Sequence, residues 1–106
     1  MKTREQEIIE FINKNKKLIK ETKSIYQLII KNGLILTLDY LSKKGHNHRE
    51  IKEIRDTILS WLKIKGIEIY NNNNNLSDGL TYSKLRKATL ECLYLISWAR
   101  RLSEND

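Results

Sequence analysis

The sequence predicts an all-α protein, a single small bundle of four main helices with room for a short extra helix or turn near residues 66–80. Three observations predict it. Proline is absent and glycine occurs only 4 times in 106 residues, too few turn formers for a sandwich or barrel. Leu, Ile, Lys and Glu recur throughout, with apolar residues at spacings of three and four. Charged residues make up 31% and hydrophobic ones 40%, a balance that suits amphipathic helices with one buried face each. This length supports one modest core, so residues 1–106 read as one domain with a flexible Asn-rich loop at about 67–80.

The first helix is expected from about residue 3 to 21. Glu5, Glu7 and Glu10 suit the positive end of its dipole. Ile8, Ile9, Phe11, Ile12 and Ile19 form its apolar face, and the lysines Lys14, Lys16, Lys17, Lys20 and Lys23 are interspersed. The second helix is expected from Ser24, a suitable N-cap, to Lys44, with Gly45 placed to terminate it. Its apolar positions nearly encircle the axis, leaving Gln27, Lys31, Asn32, Asp39 and Ser42 on the remaining arc. It therefore reads as the central, most buried helix. Gly33 lies inside it, where glycine costs about 1 kcal/mol relative to alanine. Close approach of another helix is the expected reason for its presence.

The third helix, about residues 48–65, places Ile51, Ile54, Ile58, Trp61 and Leu62 on one face. Asn47 followed by Glu50 resembles a capping box, and Gly66 ends the helix. Five consecutive asparagines, Asn71 to Asn75, follow; a polar tract of this kind cannot bury apolar area and is expected to be a mobile surface loop. Ile67 and Ile69 alternate with Glu68 like a very short strand, marginal without a partner.

The last helix is expected from about residue 81 to 103, with Leu85, Ala88, Thr89, Cys92, Leu95, Ile96, Ala99 and Leu102 on one broad face. A second stripe, Leu90, Tyr94 and Trp98, runs at steps of four beside Arg86, Lys87 and Arg101. Aromatic and basic side chains interleaved in this way suit stacking on bases, anchoring a protein partner, or packing on the N-terminal helix.

Twenty Lys and Arg against 13 Asp and Glu give a net charge of +7, which attracts phosphate backbones or anionic surfaces and is equally the solubility charge of a Lys-rich protein. Catalysis has little to build on. His46 and His48 are spaced like a metal pair but lack a nearby Cys or Asp cluster, and read as loop or capping residues, so no metal or cofactor is expected. Cys92, the one cysteine, excludes an intramolecular disulfide, reads as a small hydrophobe, and fits a reducing compartment. No signal-peptide core and no membrane-length apolar run is present, so a cytoplasmic protein that is not an enzyme and does not enter the membrane is expected.

Two segments together resemble a known family. Asn32, Gly33, Leu34 and Thr37, followed by Leu38, Tyr40, Leu41, Ser42 and Lys43, match one of its helices. Tyr82, Arg86, Lys87, Ala88, Thr89, Glu91, Leu93, Trp98, Arg100 and Arg101 follow the order of its closing helix, and residues 59–62 look like its middle Leu-x-Trp-Leu element. The chain thereby resembles the small helical subunit of the Cmr-type (type III-B) CRISPR RNA-targeting complex. It departs in lacking the Pro before the Asn-Gly-Leu step, and in having Ile35 and Leu36 where small residues are usual.

The resemblance implies a non-catalytic antiviral-defence subunit, monomeric in isolation, that stacks with copies of itself beside a repeated backbone subunit and the large subunit. It implies basic surface in the groove of the guide and target RNA, reading backbone rather than sequence. Clustering near these motifs assigns the phosphate contacts to Lys20, Lys23, Lys43, Lys44, Arg86, Lys87, Arg100 and Arg101, and a partner interface to Leu90, Tyr94 and Trp98. The alternatives are the small subunit of the Csm-type (type III-A) complex, or a DNA-binding regulator using a helix-turn-helix around residues 44–48.

Overall fold

The computed structural model describes residues 1–104; the side chain of Ile19, expected on the first apolar face, lies outside the described part. Five α-helices follow in order: α1 (Arg4–Lys14), α2 (Thr22–Asn32), α3 (Leu34–Gly45), α4 (Arg49–Ile64) and α5 (Tyr82–Glu104), with a 3₁₀ segment, Lys16–Glu21, between α1 and α2. α1 and α2 pack on α5, α3 packs on α4 and α2, and the 3₁₀ segment bridges α4 and α5.

α1 starts as a capping box. The Thr3 hydroxyl accepts from the Gln6 amide at 3.1 Å, and the Gln6 side chain accepts from the Thr3 amide at 2.9 Å. The first helix is shorter than expected because Asn15 leaves helical geometry (φ −132°) and its side chain donates to the Phe11 carbonyl at 2.8 Å. The chain then tightens into the 3₁₀ segment, which buries Leu18 completely. Lys17 and Lys20 of that segment pair with Glu53 and Glu50 of α4.

The expected second helix is two helices. α2 begins at Thr22 after Glu21, so Ser24 lies inside it and caps nothing, and it ends at Gly33 (φ 85°, ψ 165°), a conformation open essentially only to glycine. α2 buries Ile25 and Ile29, and α3 buries Leu34, Thr37, Leu38 and Leu41. On one continuous helix these two sets would point to roughly opposite sides. The break allows both to reach the core, and this accounts for the encircling apolar pattern.

Close approach at Gly33 is overturned. A Cβ there would meet nothing within 4 Å, and the residue is exposed. The tight contact belongs to Gly45, which is buried with the backbone nitrogen and Cα of Lys52 both 3.0 Å from where its Cβ would stand. Gly45 sets the packing of α3 against α4 across a short turn.

α4 starts at His48 without a side-chain cap, so the Asn47–Glu50 box is not formed. Its C-terminus closes as a Schellman motif: Gly66 (φ 80°) donates to the Lys63 carbonyl at 3.0 Å and Ile67 to that of Leu62 at 2.9 Å. Ile67 and Ile69 are then buried at 4% and 2% exposure. No extra helix follows among the described residues; Tyr70 and Leu76 form an isolated antiparallel bridge. The Asn71 side chain accepts from the amides of Asn73 and Asn75, closing the asparagine tract into a turn. Tyr70 fastens its base, donating to Asp39 at 3.1 Å with the Arg55 guanidinium over its ring.

The core gathers residues from every helix around Trp61, fully buried and 5.1 Å from the Phe11 ring. Each fully buried Ile or Leu contributes about 1.5–3 kcal/mol relative to exposure.

Candidate nucleic-acid interface

α5 forms on the broad apolar face expected of it: Ala88, Cys92, Leu95, Ile96 and Ala99 are fully buried. Thr81 starts it, its hydroxyl accepting from the Lys84 amide at 3.1 Å. Burial pushes the Cys92 thiol up to about 12, so it stays a neutral packing group. Glu91 is the buried acid of this helix; one carboxylate oxygen accepts from Arg4 of α1, and the other has no partner among the described groups.

The stripe on the outer side of α5 divides. Leu90 is 60% exposed, whereas Tyr94 and Trp98 are half-buried against the core. Arg4 lies 4.1 Å from the Tyr94 ring centre and Arg101 4.7 Å from that of Trp98. Tyr94 therefore serves the contact between α1 and α5.

All eight sequence-assigned cations, Lys20, Lys23, Lys43, Lys44, Arg86, Lys87, Arg100 and Arg101, are exposed. Two of them are partly neutralised: Lys20 lies 3.7 Å from Glu50 and Arg100 3.6 Å from Glu104. The other six have no acidic partner among the described residues. Acids on α1, on α4 and at the end of α5 are engaged through Lys2–Glu10, Lys65–Glu7, Lys17–Glu53, Arg49–Glu53 and Arg100–Glu104. No acid occurs between Thr22 and Leu38 or between Gly79 and Leu90. The net positive surface thus lies on α2, the end of α3 and the first turns of α5. An open surface cleft of about 580 Å³ lies apart from it, between Asn13–Lys17 and Glu53, Asp56, Thr57 and Ser60, where three lysines face two acids. Another shallow cleft sets Tyr26 against Ser97, Arg100, Arg101 and Glu104.

The sequence reading missed how many aromatic faces the chain's own cations occupy. Lys44 over Tyr40, Lys65 over Trp61 and Arg101 over Trp98 stand three or four residues from their rings, a legible helical spacing. Arg4 over Tyr94 and Arg55 over Tyr70 join distant segments and left no local signal. Among the described residues no trio of His, Cys, Asp and Glu is placed to hold a metal ion, and His46 and His48 are exposed beside the α3–α4 turn. No described helix is long and apolar enough to cross a membrane.

The fold and surface define a small all-helical protein with unneutralised basic patches. The chain belongs to the Cmr5 family: the model described as CRISPR-associated protein (Cas_Cmr5) matches residues 2–105. The CRISPR system Cmr subunit Cmr5 of Thermotoga maritima is 29% identical over 100 residues, covering 92% of this chain and 74% of that protein. No solved structure matches significantly. With the family shown, the Csm-type small subunit and the DNA-binding regulator drop out as readings.

Proposed function

We propose that the chain is a non-catalytic subunit of a type III-B Cmr ribonucleoprotein, standing beside the repeated backbone subunit, the large subunit and copies of itself. Its basic surface faces the guide and target RNA and binds their phosphates. The family match over residues 2–105 is the observation that supports this most directly. The six unneutralised cations, Lys23, Lys43, Lys44, Arg86, Lys87 and Arg101, are the ones best able to release counterions from RNA. Leu90, with Tyr94 and Trp98 beside it, offers the contact to a neighbouring subunit.

The test is affinity purification of the tagged protein from its native cell with sequencing of the bound RNA. Recovery of Cmr backbone subunits and guide RNAs is expected; recovery of neither refutes the reading. In the assembled complex, charge reversal at the six cations should weaken RNA binding and flatten its salt dependence. Reversal at Lys20 and Arg100 should do less.

A further inference from the structure

We propose that Tyr82, with Arg86 beside it, is a stacking site for an unpaired base of single-stranded RNA. This rests on the RNA-facing role above and adds to it a second mode of contact, one that duplex RNA cannot use.

Tyr82 is the most exposed aromatic residue among the described ones, whereas Tyr26, which also has no cation over its ring, packs against the core. Tyr82 is 84% exposed, and among the described groups it has no cation over its ring, no aromatic neighbour and no hydrogen-bond partner. Tyr40, the next most exposed aromatic at 45%, already has Lys44 at 5.7 Å over its face. Trp61, Tyr70, Tyr94 and Trp98 are likewise covered by the chain's own cations.

The surroundings of Tyr82 suit a nucleotide. Arg86 follows it by four residues, on the same side of α5 and about 6 Å further along the axis. Lys84, Arg86 and Lys87 have no acidic partner among the described residues, and no acid occurs between Gly79 and Leu90. A free aromatic face with a cation one helical turn away can take a base on the ring and an adjoining phosphate on the cation. In a duplex the base faces are already stacked on one another, so only unpaired RNA offers what Tyr82 can accept. The unneutralised charge of Lys84, Arg86 and Lys87 favours a polyanion over a protein partner.

The test uses the full chain and a short fluorescent oligouridine, with an RNA duplex of equal length as the comparison, at fixed salt. Tyr82→Ala is expected to weaken oligouridine binding about tenfold and to leave duplex binding and the salt slope unchanged. Tyr82→Phe, which keeps the ring, should stay within about twofold of the native protein. Equal binding by Tyr82→Ala overturns the proposal, as do an equal loss in Tyr82→Phe, a parallel loss for the duplex, or no measurable binding of oligouridine by the native chain. Loss of Tyr82→Ala from the purified complex with oligouridine binding intact would assign Tyr82 to a protein contact instead. Failure of the parent reading shows separately, as absence of Cmr subunits and guide RNA from the purified material.

Discussion

Gly33 and Gly45 end consecutive helices for different physical reasons. Gly33 is exposed, with positive φ and open space where a Cβ would be; Gly45 is buried, with the Lys52 backbone at 3.0 Å. The first is required by the path of its own backbone, the second by its neighbour's. A substitution at Gly33 should therefore cost the same whatever the size of the side chain, and one at Gly45 should cost more as the side chain grows.

The largest effect is expected at Gly45. Gly45→Leu should lose about 3 kcal/mol in urea unfolding, with Gly45→Ala losing less, because added atoms must displace the start of α4. At Gly33 a smaller cost, about 1–2 kcal/mol, is expected for Gly33→Ala and equally for Gly33→Leu. A marked difference between those two variants would break the comparison, and semisynthetic D-alanine at position 33, which tolerates positive φ, should recover most of the loss. Thr37→Val is next, at about 1 kcal/mol, since the buried Thr37 hydroxyl donates to the Gly33 carbonyl at 2.8 Å across the break.

The smallest effect lies in the ties that hold α4 after the Gly45 turn. The hydrogen bond from Lys17 holds the Glu53 carboxyl below its usual range, with Lys17 and Arg49 charges adding to it. A depressed carboxyl stabilises the fold above its ordinary range, and that contribution is lost as pH falls through the lowered value. Glu53→Gln should accordingly lower stability slightly at neutral pH, change it little in acid, and so flatten the acid side of the stability profile. Cys92, fully buried, is a common readout for the series: thiol labelling near neutral pH should proceed only through opening, fastest in Gly45→Leu.

The sequence contained the break at Gly33 in a form that propensity alone does not reveal. The apolar phase of Ile25 and Ile29 differs from that of Leu34, Leu38 and Leu41, and a phase jump at a glycine marks two helices where a full circle of apolar residues suggests one buried helix. The limits of α4 and α5 were legible because their periodicity is uninterrupted and Gly66 and Thr81 bound the intervening segment. The hairpin at 70–76 was not, because its anchors, Tyr70 on Asp39 and Arg55 on Tyr70, come from residues distant in sequence. At the candidate interface, charge was legible from composition. Its neutralisation was not, since the pairs Lys17–Glu53, Lys20–Glu50 and Lys65–Glu7 depend on how the helices pack.

The contact between Arg4 and Glu91 joins residues 87 positions apart. During synthesis Arg4 leaves the ribosome before Glu91 exists, so this tie between α1 and α5 can form only once α5 has been made. The contacts of α1 with α4, Phe11 on Trp61 and Glu7 with Lys65, can form before it.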